Sequence, residues 1–293
     1  MKICLVNPQA PLRDDWKGNV EVYQPLGLAY VAAMLEKAGH EIVILDALAE
    51  SFKTIHELEG RNYAGLSYEE LSERIRGLSP DVVGITTVTS KKWSALKVAM
   101  AAKNADRKIK VMMGGPHISV RPEDCLSDKN VDFVIIGEGE FSTVELIDAL
   151  ENGKDISEIK GIGYKAGNEL VINERRPLIQ DLNSLPIPAR HLFPMEKYFD
   201  AARHAQTSRG TSKRWVNMIT SRGCPYNCIF CSIHLSMGRA WRFRTPENVI
   251  EEIESLVSKY GIEQINFEDD NMSLNRDRME KICDLLISRN IRI

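Results

Sequence analysis

Ser221-Arg222-Gly223-Cys224-Pro225-Tyr226-Asn227-Cys228-Ile229-Phe230-Cys231 sets three cysteines in a C-x3-C-x2-C array directly after the apolar run Val216–Thr220. Thiolates this close, pinned by Gly223 and Pro225, either bind one metal centre or bridge each other. Iron–sulfur clusters normally take four protein thiolates. Three cysteines on a cubane of four irons leave one iron without a cysteine. An open coordination position separates a catalytic metal site from a sealed structural one. The spacing therefore points to a 4Fe–4S cluster that binds something at its fourth iron.

Three other readings compete. His234 completes a Cys3His set with C-x3-C-x2-C-x2-H spacing that zinc could use, although zinc sites usually come as two separated pairs. Cys283 could close the cluster as a fourth thiolate, but it stands in a helical pattern beside Ile282 and Leu286, where a free cysteine usually behaves as a small hydrophobe. A disulfide is disfavoured by six scattered cysteines and no signal peptide.

With Phe230 just before the third cysteine, the array resembles the signature of the radical S-adenosylmethionine (SAM) enzymes. The resemblance implies that the amino and carboxylate groups of SAM chelate the open iron. It also implies that an electron from the cluster cleaves the sulfonium to a 5′-deoxyadenosyl radical, which abstracts hydrogen from a substrate.

Outward from the array, the chain downstream reads as β/α repetition. Thr245-Pro246-Glu247 starts a helix with an N-cap, a first-turn proline and an acid suited to the dipole. Val249, Ile250, Ile253, Leu256 and Val257 follow at helical spacing, and Gly261 ends the helix. Gln264–Glu268 reads as a strand, Asp277–Ser288 as a helix and Ile291–Ile293 as the start of another strand. Barrels built this way keep their chemistry at the carboxyl ends of the strands. Glu268, Asp269 and Asp270 stand at such an end, either as a capped or salt-bridged loop or as acceptors for an ammonium. The resemblance assigns them, with Phe230, to SAM. Arg242 and Arg244 match a basic stretch that follows the cysteines in this subgroup. Two strand–helix pairs are far short of a barrel, so the chain is expected to be a fragment or to be completed by another chain.

Upstream, strands and helices alternate. Ile3–Val6, Glu41–Leu45, Asp81–Thr87, Lys110–Met113 and Phe133–Ile136 read as strands. Leu26–Lys37, Tyr68–Leu78 and Trp93–Ala105 read as helices, with Leu146 and Leu150 on one more. Ser67 followed by Glu70 is a capping box. Near-continuous apolar strands separated by helices predict a parallel sheet covered on both faces, in the flavodoxin-like order 2-1-3-4-5. A ligand then binds beyond the carboxyl ends of the strands, where the loops are Asn7–Leu12, Thr86–Lys92, Gly114–Ser119 and Gly137–Ser142.

Gly114-Gly115-Pro116-His117 and Gly137-Glu138-Gly139-Glu140-Phe141 either make tight turns or admit a ligand close to the backbone, and the second opens a helix whose free N–H groups suit an anion. Neither a dinucleotide fingerprint nor a P-loop is present. Together with Gln24-Pro25-Leu26-Gly27-Leu28, these loops resemble the cobalamin-binding domain that precedes many radical SAM barrels. The resemblance implies a cobalamin site formed by Asn7, Pro8, Thr86, Thr87, Ser90, Gly114, Gly115, His117, Gly137 and Gly139. The D-x-H-x-x-G motif that supplies a histidine to cobalt elsewhere is absent, and His117 is the one histidine near the right place.

The expected organisation is an α/β cobalamin-binding domain over 1–152, a linker with a β-hairpin over 153–215, and the first part of a radical SAM (β/α) TIM-like barrel over 216–293. Lys160–Lys165 and Glu169–Asn173 form the hairpin around Ala166-Gly167-Asn168. Pro186, Pro188 and Pro194 make Asp181–Pro194 an extended tether. Ala205–Lys213 reads as a mobile loop, with Arg203, Arg209, Lys213 and Arg214 a solvated or phosphate-binding face.

Of 293 residues, 43% are hydrophobic and 27% charged, with a net charge of −3. That is ordinary soluble composition, with nothing to suggest nucleic acid or an anionic membrane. No apolar run approaches the ~20 residues of a membrane helix. A cytoplasmic location is expected. The resemblance implies three cofactors (a 4Fe–4S cluster, SAM and cobalamin) and a reductant protein, ferredoxin or flavodoxin. It implies a small-molecule, natural-product or lipid substrate, methylated at an unactivated carbon. An oxidative cyclase is the alternative enzyme, and a zinc or iron–sulfur module without catalysis the non-enzymatic one.

Overall fold

The computed structural model describes residues 1–13, 15–16, 20–204 and 212–293. Five parallel strands form the heart of the first domain: Lys2–Asn7, Glu41–Asp46, Val82–Thr86, Lys110–Gly114 and Phe133–Ile135. They lie in the order 2-1-3-4-5, with Ile3 opposite both Ile42 and Val82. Their side chains are buried on both faces, as the unbroken apolar runs require. Helices Leu26–Lys37 and Gly139–Asn152 cover one face, with Leu28, Ala32, Leu35, Leu146 and Ile147 in its core. Helices Tyr68–Leu78 and Lys92–Ala105 cover the other, with Leu71, Ile75, Val98 and Ala102. The Ser67 hydroxyl accepts the Glu70 N–H at 3.0 Å, closing the N-terminal cap.

The hairpin forms as expected, from Ile162–Ala166 and Glu169–Ile172, but it does more than connect. Ile162–Ala166 pairs antiparallel with Phe133–Ile135 and so extends the first sheet to seven strands. The proline-rich stretch is not a loose tether either. Ile179, Leu182 and Leu185 bury against Tyr30, and the Ala189 N–H donates to the Ala29 carbonyl at 3.0 Å. The short antiparallel strands Ala10–Pro11, Ile55–Leu58 and Arg61–Ala64 carry no periodic signal long enough to predict, whereas helix Met195–His204, unforeseen beside the prolines, buries Met195, Tyr198 and Phe199 at helical spacing. Of the expected mobile loop and its basic face, residues 205–211, Arg209 among them, lie outside the described residues.

In the second domain Trp215–Met218 pairs in parallel with Gln264–Phe267. Helix Pro246–Tyr260 is capped by Thr245 and ended by Gly261 in the left-handed region, as read from sequence. Helix Arg276–Ser288 follows. The third strand expected at Ile291–Ile293 is not formed. The apolar core under helix Leu26–Lys37 runs on through Phe193, Phe199 and Val216 to Ile250, Ile253 and Ile282, so one core spans both domains. Among the described residues no helix is long and apolar enough to cross a membrane.

Candidate functional site

A cavity of about 780 Å³ opens at the carboxyl ends of the first sheet's strands, the place where such sheets bind ligands. Asn7, Thr86, Gly114, Gly115, Gly137 and Gly139 line it from the first domain, and Ile219, Arg222, Ser236, Met237 and Glu268 from the second. Gly137 has φ +81°, and a Cβ built there would meet nothing within 4 Å. Gly137 is thus open on its Cβ side, whereas Gly115 and Gly139 are packed against Thr87 and Ile135.

Four predicted cavity residues are not on that wall: Pro8, Thr87, Ser90 and His117. Thr87 is buried, its N–H bound to the Gly114 carbonyl at 2.8 Å. Ser90 is exposed. The His117 ring is buried between the Thr89 hydroxyl, 3.1 Å from Nδ1, and Asp124, 3.5 Å from Nε2. Burial and the charges of Lys92 and Arg121 hold its pKa below the ordinary histidine value, against Asp124. The ring belongs to the short helix Pro116–Val120 and is bonded locally through Nδ1.

Other polar residues at the cavity floor carry no motif. Lys91 lines the cavity and donates to the Pro8 carbonyl at 3.3 Å. Burial pushes its ammonium pKa down, with the charge of Asp46 opposing. Asp46 is buried, accepting from Asn7 Nδ2 at 3.0 Å, Ala49 N at 2.8 Å and the Tyr198 hydroxyl. Burial nonetheless raises its carboxyl pKa.

The cysteine loop begins where Ser221–Arg222 pairs antiparallel with Arg242–Phe243. Gly223 turns the chain at φ +82°, where any Cβ would overlap the Ala240 carbonyl. The Cys224 N–H then reaches the Gly238 carbonyl at 3.4 Å, and Cys231 N–H the Cys228 carbonyl at 3.1 Å. All three thiols are free, Cys228 exposed and the others half-buried. A tetrahedral zinc site would hold its sulfurs about 3.8 Å apart. Among the described residues ligand atoms converge within 4.8 Å at His40, Asp148 and Glu151, but not at the three cysteines with His234. The donor set, three free thiols standing apart, suits a multi-iron cluster. Cys283, expected to be buried, is exposed on its helix. Phe230 is 89% exposed, out in solvent with Ile229 and Tyr226.

The three acids at the strand end divide their work. Asp269 accepts from Thr220 N at 3.0 Å, Thr220 Oγ1 at 2.8 Å and Ser221 Oγ at 2.5 Å, so it is a strut joining two strand ends. Glu268 faces the cavity. Desolvation and the charge of Asp269 push the Asp270 carboxyl pKa up. Asp269 is thus spent on the strand ends, while Glu268 lines the cavity.

Buried ion pairs lock the two domains across the cavity. Arg222 donates to Glu138 at 2.8 Å and Glu140 at 2.6 Å, and its guanidinium lies over the Tyr30 ring at 5.1 Å. Burial alone would lower the Arg222 pKa, but Glu140 and Glu138 outweigh it and hold it raised. Arg242 reaches both oxygens of Glu138 at 2.8 Å. Arg190 and Arg244 share Glu252 at 3.1 and 2.5 Å, and Arg190 also reaches Gln24 and the Asn217 carbonyl. The sequence offered half of this signal, as two carboxylates around Gly139 and arginines before and after the cysteines. The partners come from contacts distant in the chain.

Residues 20–147 match the B12 binding domain family and residues 218–293 the Radical SAM superfamily. An uncharacterised methyltransferase of Pyrococcus horikoshii is 38% identical over 280 residues, which cover 95% of this chain and 55% of the relative. The anaerobic magnesium-protoporphyrin IX monomethyl ester cyclase of a Synechocystis strain is 27% identical over 296 residues, 100% of this chain and 54% of the cyclase. The chain thus spans about half the length of these curated relatives. In fold it resembles OxsB, a cobalamin-dependent SAM radical enzyme solved with aqua-cobalamin and SAM bound. The TM-score is 0.75 at 18% identity, over 100% of this chain and 38% of that one. The glycine-walled cavity, the three-thiol loop and both family matches converge: the chain belongs to the radical SAM superfamily, in the subgroup that carries an N-terminal B12-binding domain.

Proposed function

We propose that this chain forms the cofactor-holding part of a cobalamin-dependent radical SAM methyltransferase. One observation carries the reading: glycine loops of the B12-binding domain and residues of the cysteine loop's domain line the same cavity. Cobalamin is assigned to that cavity, with the open side of Gly137 giving backbone approach and Asn7 and Thr86 polar contacts. Cys224, Cys228 and Cys231 supply the thiolates of a 4Fe–4S cluster. Glu268 and Asp270 stand at the strand end to accept the ammonium of SAM. With Cys224, Cys228 and Cys231 holding it, a cluster would supply the electron for reductive cleavage of SAM, and cobalamin in the cavity would carry a methyl group.

The chain's own residues give that chemistry its setting. Asp269 fixes the strand end beside the cysteine loop, and the apolar cavity wall excludes water from the ligand's face. Exposed Tyr226, Ile229 and Phe230 surround the thiols, an apolar rim suited to a reductant protein of the ferredoxin or flavodoxin type. A small-molecule substrate fits the reading.

The cyclase relative supports a second reading, ring formation on the same architecture. The test is to reconstitute the protein anaerobically and add reductant and SAM. Release of 5′-deoxyadenosine with S-adenosylhomocysteine supports methyl transfer. 5′-Deoxyadenosine without S-adenosylhomocysteine favours the cyclase, and a colourless protein holding one zinc overturns both.

A further inference from the structure

We infer that Arg222, Glu138 and Glu140 form a clamp that couples the cysteine loop to the cavity, so that loading the cluster tightens cobalamin binding. This rests on the cofactor assignment above and adds the residues that join the two sites. Arg222 directly precedes Gly223 and Cys224, and its backbone is fixed by the pairing of Ser221–Arg222 with Arg242–Phe243. Its side chain crosses to the other domain, where one guanidinium nitrogen meets Glu138 and another Glu140. Those carboxylates flank Gly139 and follow Gly137, two glycines of the cavity wall.

The clamp has little slack. Glu138 is fully engaged, its oxygens taken by Arg222, Arg242 and the Ile179 N–H at 2.7 Å. Glu140 has Arg222 as its ion-pair partner. All three side chains are at least nine-tenths buried, so water cannot replace a partner that moves away. A planar guanidinium bridges two carboxylates with fixed geometry, which a lysine ammonium cannot reproduce. On its far side Gly223, at φ +82°, is packed against the Ala240 carbonyl, and the Cys224 N–H reaches the Gly238 carbonyl, so the start of the cysteine loop is held from both directions. A cluster that orders the cysteine loop therefore orders the Gly137–Glu140 wall. By linkage, a ligand in the cavity favours the loop geometry that holds the cluster.

The experiment measures the dissociation constant of hydroxocobalamin for cluster-free and anaerobically reconstituted protein and takes their ratio. Wild-type protein should bind about fivefold or more tightly when loaded. Arg222→Lys and Glu140→Gln should each bring the ratio towards one. Glu145→Gln, which removes an outward-facing partner of Arg176 on the same helix, should keep the wild-type ratio. A wild-type ratio of one overturns the clamp, as does an unchanged ratio in both clamp variants. So does equal weakening in the loaded and cluster-free forms, which is what a merely structural role gives. If wild-type protein takes up no iron or no cobalamin, the cofactor assignment fails and the clamp with it. If both bind without coupling, the clamp alone fails.

Discussion

Gly137 is where a single atom decides what the cavity can accept. Its φ of +81° is a left-handed backbone, and a Cβ there would meet nothing within 4 Å. Gly137→Ala should lose about 1–2 kcal/mol of stability to backbone strain and, separately, weaken hydroxocobalamin binding roughly tenfold, about 1.4 kcal/mol. Equilibrium dialysis checks the second effect, and unaltered affinity would place the ligand elsewhere. Asp46 makes a different residue-scale prediction. Burial raises its carboxyl pKa above the ordinary 3.8, so the folded state holds this proton longer than the unfolded chain. Stability contributed by the protonated form is present below pH 3.8 and declines as pH rises towards the folded pKa. An asparagine at 46 cannot ionise. The stability of wild type relative to Asp46→Asn should therefore fall as pH is raised from about 4, as read by urea midpoints of both proteins across pH 4–8. A difference that grows with pH would mean that the three donors to Asp46 outweigh its burial.

At the scale of elements, the helix Pro246–Tyr260 is joined to the rest of the protein through Glu252. Glu252→Ala would leave the buried guanidinium groups of Arg190 and Arg244 without this carboxylate, at a cost of about 3–5 kcal/mol. Glu254→Ala, two residues on and on the outer side of the same helix in a pair with Arg289, should cost about 0–1 kcal/mol. Urea denaturation distinguishes the two, and equal effects would contradict the link. Sequence periodicity foresaw this helix, its Thr245 cap and its Gly261 stop, because those signals lie within one element. It foresaw the order 2-1-3-4-5 because buried parallel strands read as unbroken apolar runs. It could not see that Glu252 faces two arginines, or that Asp269 braces Thr220 while Glu268 faces the cavity, since neighbouring acids in one loop look alike until the chain around them is folded. The hairpin was legible, but its docking on the first sheet was not, since pairing between Phe133–Ile135 and Ile162–Ala166 leaves no local signature. The cysteine array was legible from spacing alone. A histidine beside glycines reads the same whether it faces a ligand or, as His117 does, a neighbouring aspartate.

For the whole molecule, a continuous apolar core and buried ion pairs join the B12-binding and radical SAM domains. Domains sharing a core unfold together, so calorimetry of the cofactor-free protein should give one transition, and two well-separated transitions would contradict the shared core. The account's central claim is that three thiolates and one glycine-walled cavity hold two different cofactors side by side. Its most direct test is the iron, sulfide and cobalamin content of protein reconstituted anaerobically with all three. The account predicts about four irons and about four sulfides per chain together with an equimolar amount of cobalamin, the iron lost on Cys228→Ser and the cobalamin weakened on Gly137→Ala. Zinc in place of iron, or cobalamin uptake indifferent to Gly137, would contradict it.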